Sequence, residues 1–133
     1  MENMKDIFIN NLKNYELWTE KSKISVHEIN KRFYSINFLA NSETISRIHS
    51  THFDVNIIDD LFYLLSIQIT KENRGKGLGL KLYNILEKIA KELNCNKIVQ
   101  TPSGWTKTGE SRESYLMRKG WTLENNIAYK NLK

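Results

Sequence analysis

The sequence has very little cysteine and proline. Cys95 is its only cysteine, which excludes an internal disulfide framework and favours a reducing compartment. Pro102 is its only proline, and no repeat, linker or low-complexity tract divides the 133 residues. We therefore expect one domain, residues 1–133, with a single hydrophobic core.

Long apolar runs and metal-ligand spacings are also missing. No stretch approaches the roughly 18 apolar residues of a membrane-spanning helix. Glu2 and Asp6 stand where a signal peptide would be basic and then apolar. These features predict a cytoplasmic protein. Three scattered histidines and one cysteine have no metal-ligand spacing, so we predict no metal.

The charge balance is weakly basic, with a formal net charge of +5. This value fits a protein that binds a polyphosphate, and it also fits loose affinity for nucleic acid. The sequence has no recognisable helix-turn-helix, zinc-finger or RNA-binding signature. Nucleic-acid binding is therefore the less favoured interpretation, and salt-dependent retention on DNA would test it.

The most informative stretch runs from Leu61 to Leu93. Its first part, Leu61–Ile69, is apolar and rich in β-prone residues, which predicts a buried strand. From Leu78 onward, apolar residues recur at steps of three and four, which predicts an amphipathic helix. The two elements are joined by a glycine-rich turn with the sequence Arg74-Gly75-Lys76-Gly77-Leu78-Gly79.

A glycine-rich turn that opens into a helix can bind an anion. Glycine reaches φ > 0 and lets the backbone approach a ligand closely, while the first N–H groups of the helix have no partner inside it. The helix dipole and the charges of Arg74 and Lys76 favour a phosphate or pyrophosphate. The P-loop pattern is absent. So is G-x-G-x-x-G, because Leu80 and Leu82 stand where the third glycine should be.

The pattern that remains is Arg-x-x-Gly-x-Gly after a strand ending in Ile67-Gln68-Ile69. It resembles the acetyl-CoA signature [QR]-x-x-G-x-[GA] of the GCN5-related N-acetyltransferases, the GNAT family. Gly120-Trp121 similarly matches the end of the family's Y-x-x-x-G-F pattern. The resemblance runs from about Leu61 to the C-terminus. It implies a mixed α/β fold with a central, mostly antiparallel, splayed sheet flanked by helices.

The other elements are predicted from periodicity and turn residues. Met4, Phe8 and Leu12 share one face of a short helix within residues 1–19. Alternating residues predict three antiparallel strands near 24–29, 32–39 and 43–55, followed by a turn at 56–60. A strand at 97–101, a helix at 110–119 and a hairpin of 121–123 with 128–132 around Asn125-Asn126 complete the order. The paired helices that follow the family's first strand are not found.

The resemblance implies an N-acetyltransferase that moves an acetyl group from acetyl-CoA to a primary amine of a small molecule, peptide or protein. In the family, the backbone of the fourth strand holds the pantetheine arm and the thioester carbonyl, and the glycine turn holds the pyrophosphate. The corresponding cofactor-binding residues are Ile67, Gln68, Ile69, Arg74, Gly75, Lys76, Gly77, Leu78 and Gly79.

The resemblance implies the catalytic residues less directly. A tyrosine hydroxyl can protonate the departing thiolate. The family's tyrosine falls on Leu116, which makes the adjacent Tyr115 the candidate acid, although one residue on a helix turns a side chain by about 100°. The family's base falls near Tyr63, which is not a carboxylate. The alternatives are ordered water and the side chains of His49, His52, Asp54, Asp59 and Asp60.

The segment from Pro102 to Arg112 departs most from the family, and Gly109 occupies the place of an asparagine that contacts the cofactor. Trp105 and Arg112 are candidates to line the substrate site, because binding residues concentrate on loops. The missing tyrosine at position 116 favours one alternative, a catalytically inactive CoA-binding sensor or regulatory module. A homodimer that pairs through the C-terminal strands is compatible with the family.

Overall fold

A computed structural model of the chain describes residues 3–40, 51–69, 77–102 and 110–133. Within these ranges the chain forms three helices and seven strands. In chain order they are α1 (Met4–Leu12), β1 (Lys23–Asn30), β2 (Phe33–Ala40), β3 (Thr51–Ile58), β4 (Leu61–Gln68), α2 (Leu78–Glu92), β5 (Lys97–Gln100), α3 (Arg112–Arg118), β6 (Thr122–Glu124) and β7 (Ile127–Asn131).

The seven strands form one sheet in the order β1-β2-β3-β4-β5-β7-β6. Strands β4 and β5 are parallel, and each of the other neighbouring pairs is antiparallel. A parallel pair needs a crossover connection, and helix α2 lies in that connection. The predicted mixed α/β fold with a mostly antiparallel sheet is therefore confirmed.

One face of the sheet carries the hydrophobic core. Phe8 of α1 stacks on Phe53 and Phe62, with ring centroids 6.3 and 6.2 Å apart. Leu82 and Leu86 on the apolar stripe of α2 are fully buried, as the three-to-four-residue spacing predicted. Burying each such side chain contributes roughly 1.5–3 kcal/mol, so the stripe fixes α2 against the sheet.

The opposite face of the sheet carries polar side chains. Side chains alternate between faces along a strand, so the positions between the core residues point to this second face. It presents a set of half-buried side chains, which we call the polar face: Asn37, Asp54, Asn56, Tyr63 and Ser66.

Several predicted boundaries were wrong. Helix α1 ends at Leu12, well short of residue 19. Strand β3 continues to Ile58, past the predicted end at 55, because Asn56 and Ile57 pair with Tyr63 and Phe62 of β4. Residues 41–50 lie outside the described part of the chain.

Other boundaries agree closely with the prediction. Strands β1 and β2 lie within a residue or two of their predicted ranges, and α2 begins at Leu78 as expected. The C-terminal hairpin turns at Asn125 and Asn126, whose φ angles are 52° and 63°. Two positive φ angles match the right-handed twist of a hairpin, and asparagine tolerates them well. None of the helices in the described ranges is long and apolar enough to cross a membrane.

Candidate active site

Strands β4 and β5 pair over four residues and then separate. Their ladder runs from the pair Leu61 and Lys97 to the pair Leu64 and Gln100, where β5 ends and β4 continues to Gln68. Directly after Leu64, β4 also bulges against β3, so that Leu65 is an extra residue. A bulge bends and twists the strand that carries it. In the described part of the sheet, residues 65–68 of β4 therefore lie beyond the β4–β5 ladder.

The start of α2 lies beside this gap. Gly77 precedes the helix with φ 75° and ψ 8°, a left-handed conformation that glycine adopts without strain. Among the described residues, a Cβ added to Gly77 would meet nothing within 4 Å, whereas one added to Gly79 would lie 3.5 Å from Ile69 Cδ1. The first turn of α2 therefore lies close to Ile69, the residue that follows β4.

The geometry at Gly77 fits a polyphosphate group. The first hydrogen bond of α2 runs from the Lys81 N–H to the Gly77 carbonyl, so the preceding N–H groups have no partner within the helix. The open space beside Gly77 leaves room for a ligand to approach the backbone. Of the predicted cofactor residues, Ile67, Gln68 and Ile69 lie at the end of β4 and Gly77, Leu78 and Gly79 at the start of α2, while Arg74, Gly75 and Lys76 lie outside the described residues.

A buried hydrogen-bond cluster lies where the two strands separate. The Tyr83 hydroxyl of α2 donates to Gln100 Oε1 at 2.8 Å and accepts from Arg112 Nη1 at 3.3 Å. Tyr83 and Gln100 are only 4% and 5% exposed. Burial raises the pKa of Tyr83, although the nearby charge of Arg112 acts in the opposite direction. The hydroxyl therefore keeps its proton at neutral pH and links α2, β5 and α3.

Arg112 carries a buried donor that the described residues leave unpaired. Its Nη1 atom bonds Tyr83, but its Nε atom is buried without a hydrogen-bond partner in the described ranges. A buried unpaired donor costs free energy, roughly 1–3 kcal/mol for a neutral group and more for a charged one. The substrate contact of Arg112 stays a prediction. The other predicted substrate residue, Trp105, lies outside the described residues.

Tyr115 of α3 lies beside this cluster. Its ring centroid is 6.4 Å from that of Tyr83, and the guanidinium of Arg118 lies 5.5 Å from its ring. Burial raises the pKa of Tyr115, although the charges of Arg112 and Arg118 lower it. The phenol therefore stays protonated at neutral pH and can act as a proton donor. Leu116, at the family's tyrosine position, is 1% exposed and belongs to the core.

Tyr63 and Tyr115, the two predicted catalytic tyrosines, lie on opposite sides of the sheet. Gln100 points toward α2, because it accepts the Tyr83 hydrogen bond. Its neighbour Val99 therefore points to the polar face, and so does Tyr63, its pairing partner on β4. Tyr115 contacts Tyr83 and thus lies on the helix side.

The alternative bases differ in their distance from the gap. Asp59 forms an ion pair with Arg32 at 3.5 Å, and Asp60 accepts a hydrogen bond from Asn96. Both lie in the turn before β4, at the opposite end of that strand from the gap. Asp54 and His52 pair with Ser66 and Gln68 beyond the bulge. These two side chains are therefore the described alternatives nearest the gap, whereas His49 lies outside the described residues.

Cys95 and one surface hollow lie away from the gap. Cys95 is buried, and burial raises the pKa of its thiol to about 11, so it is an inert core residue. A hollow of about 510 Å³ adjoins the turn between β3 and β4 and is lined by charges of both signs. Its lining residues include Lys31, Arg32, Asp59 and Asp60. We therefore assign neither feature to the site at the gap.

Two residues of the site, Tyr83 and Gln100, were missed in the sequence. Tyr83 lies in the apolar stripe of α2, where a tyrosine needs a buried hydrogen-bond partner. Gln100 is the one polar side chain that follows the apolar pair Ile98 and Val99 before the strand ends. These were the available signals, but neither identifies the partner residue.

The same fold occurs in solved acetyltransferase structures. An acetyltransferase from Bacillus cereus matches with a TM-score of 0.56 and 15% identity, over 98% of this chain and 96% of that one. PaiA N-acetyltransferase from Thermoplasma acidophilum, solved in complex with coenzyme A, matches with a TM-score of 0.54 and 19% identity, over 75% and 61%. A GNAT-family acetyltransferase from Staphylococcus aureus matches with a TM-score of 0.50 and 17% identity, over 74% and 68%. This chain has the GNAT fold.

Arg-x-x-Gly-x-Gly and Gly120-Trp121 resembled the GNAT family, and the fold confirms that resemblance. No protein-family model matches the sequence, and the comparison with curated proteins gives no match. At identities below 20%, the likeness to these structures establishes the GNAT fold and not the activity. The activity has to be argued from the site.

Proposed function

We propose that this protein is an N-acetyltransferase that transfers an acetyl group from acetyl-CoA to a primary amine by direct attack on the thioester. One observation carries the proposal. The gap between β4 and β5 adjoins the N-terminus of α2, because a Cβ added to Gly79 would lie 3.5 Å from Ile69 Cδ1. A strand edge for an extended arm and a helix terminus for a pyrophosphate therefore lie next to each other, as a CoA thioester requires.

The donor substrate would be held mainly by backbone groups. We assign the pantetheine arm and the thioester carbonyl to the main chain of Ile67, Gln68 and Ile69. The pyrophosphate is assigned to the turn from Arg74 to Gly79, whose glycines allow close approach. A backbone N–H of β4 would stabilise the oxyanion that forms when the amine attacks the carbonyl.

The two tyrosines receive different roles because they lie on different sides of the sheet. Tyr115, on the helix side, is proposed to protonate the departing thiolate, since its raised pKa keeps the phenol protonated. Tyr63, on the polar face, is proposed to contact the acceptor amine through its hydroxyl. It is not proposed as the general base, because a phenol is a weak base. Arg112 and Trp105 are proposed to bind substrate, Arg112 through its guanidinium group beside Tyr83.

The experiment that tests this function is calorimetric titration with acetyl-CoA and CoA, followed by a thiol-release assay with a panel of primary amines. We expect binding of both nucleotides and release of CoA with at least one amine. Absence of binding would refute the assignment of the gap and the glycine turn. Nucleic-acid binding stays the less favoured class, and a cytoplasmic location and a homodimer stay predictions.

A second candidate function is a CoA-binding sensor or regulatory module that has lost the chemistry. The observation in its favour is the buried Leu116, which occupies the place of the family's tyrosine. Binding of acetyl-CoA without thiol release for any amine in the panel would favour this candidate over the enzyme.

A further inference from the structure

We propose that Asp54, held by Ser66, accepts the proton that the attacking amine loses, and that the acceptor is an aliphatic primary amine reaching the gap from the polar face. This inference rests on the proposed acetyltransferase function. It adds to that function a proton acceptor, a side of approach and a substrate class.

The position of Asp54 in the sheet is the first step. Asp54 of β3 pairs with Ser66 of β4, and the next pair is Val55 with Leu64, so the extra residue Leu65 lies directly beside Asp54. Leu64 is also the last residue of β4 that pairs with β5. The carboxylate of Asp54 is therefore placed one strand away from the point where the gap begins, on the face that also carries Tyr63.

The carboxylate of Asp54 is held in a defined orientation. Ser66 Oγ donates a hydrogen bond of 2.7 Å to Asp54 Oδ2, and both side chains are half-buried. A carboxylate has about four lone-pair sites, so this bond fixes its direction and still leaves capacity to accept a proton. Because Ser66 directly precedes Ile67, the first residue assigned to the thioester, the same contact places the carboxylate beside that segment.

The other candidates on this side are less well placed. Asp59 and Asp60 lie in the turn at the far end of β4. Tyr63 is a phenol and a weak base. His52 pairs with Gln68, inside the segment assigned to the thioester, but it is only 7% exposed, whereas Asp54 is half-buried. Asp54 therefore combines an anionic side chain, partial exposure and a position beside the bulge.

The chemistry requires such a group. An aliphatic ammonium has a pKa near ~10, so an anionic side chain attracts it to the site before it loses its first proton to solvent. The neutral amine then attacks the thioester carbon, and the new N–C bond leaves the nitrogen positively charged with an extra proton. That proton passes to the Asp54 carboxylate. The C–S bond breaks with its electron pair on sulfur, which takes a proton from Tyr115.

The test compares Asp54→Asn with the wild-type protein, using an aliphatic primary amine that the wild type acetylates. Asparagine keeps the shape but cannot take the proton, so we expect kcat/KM to fall by roughly 100-fold or more at pH 7. The deficit should shrink toward pH 9, where more of the amine is already neutral and hydroxide can remove the proton. The Kd of acetyl-CoA should stay within about twofold.

Three further variants separate this role from a structural one. Asp59→Asn makes the same chemical change at an exposed carboxylate away from the gap and should retain wild-type activity. Ser66→Ala removes the hydrogen bond from Ser66 Oγ but keeps the Asp54 carboxylate, and it should lower kcat/KM by about tenfold with the wild-type pH dependence. His52→Gln should cost less than Asp54→Asn. Thermal unfolding of each variant checks that it folds.

The outcomes distinguish this inference from the proposed function. A folded Asp54→Asn protein that keeps more than a third of wild-type kcat/KM at pH 7 would overturn the role of Asp54, while the acetyltransferase function would stand. A pH-independent deficit, or an equal loss in Asp59→Asn, would also overturn it. A wild-type protein that acetylates only arylamines would refute the substrate class. No turnover by the wild type would overturn both proposals.

Discussion

Replacing Tyr83 with phenylalanine removes one buried hydroxyl and leaves the ring in place. The ring keeps its contacts with Tyr115 and Trp121, whose centroids lie 6.4 and 6.0 Å away, so no cavity forms. Gln100 Oε1 loses its donor at 2.8 Å, and Arg112 Nη1 loses its acceptor at 3.3 Å. Only the hydrogen bonds of this cluster are therefore perturbed.

The expected loss of stability follows from the burial of these partners. Leaving a buried acceptor such as Gln100 Oε1 unsatisfied costs about 1–3 kcal/mol, because water cannot replace the lost donor. Arg112 is less deeply buried, so the loss of its bond adds less. For a domain of this size, each kcal/mol lowers Tm by about 3–5 °C. We expect a total loss of about 1–3 kcal/mol for Tyr83→Phe.

The assay is urea denaturation followed by tryptophan fluorescence, with thermal unfolding as a second measurement. Tyr129→Phe is the matched control, because the half-buried Tyr129 ring lies under Lys97 and has no place in the cluster. The control should change the free energy of unfolding by less than about 0.5 kcal/mol. In a Tyr83→Phe background, Gln100→Leu should cost less than it does in the wild type. A Tyr83→Phe loss no larger than that of the control would refute the reasoning.

Three other predictions follow from the same structure. Gly77→Val should abolish CoA binding, because a β-branched side chain is strained at φ 75° and would project into the open space beside the backbone; unchanged CoA affinity in the folded variant would contradict this. Gly79→Ala should keep or raise the free energy of unfolding, by up to about 1 kcal/mol, since its methyl group reaches only ordinary contact at 3.5 Å. Tyr115→Phe should lower kcat about 100-fold without changing the Kd of acetyl-CoA, with Tyr129→Phe as control; equal kcat values for wild type and variant would count against Tyr115 as the acid. The free energy of unfolding should fall as pH rises from about 9 to 12, because burial raises the pKa of Cys95 to about 11 and that of Tyr15 to about 12, so the unfolded chain loses these protons at lower pH than the folded chain. Urea titrations at pH 8, 10 and 11 measure this, and a free energy of unfolding that does not change with pH would refute it.

Local patterns of the sequence were sufficient for the elements around the site. The apolar run of Leu61–Ile69, the stripe that begins at Leu78 and the asparagine pair at the hairpin each predicted an element that the structure contains. Periodicity works here because strands and helices repeat their buried face over distances of a few residues. The GNAT fold was expected on a different ground, the resemblance of Arg-x-x-Gly-x-Gly to the family's acetyl-CoA signature.

The sequence by itself thus determined the order of the elements and the place of the glycine turn, since both depend on neighbouring residues. Only the tertiary structure decided which side chains meet. The bulge at Leu65 arises from the pairing of β4 with β3, and the gap begins where β5 ends at Gln100. Tyr83 meets Gln100 and Arg112 because α2, β5 and α3 converge there, and these contacts span many residues of chain. Pairing partners across a sheet are set by packing between distant segments, which local periodicity does not encode.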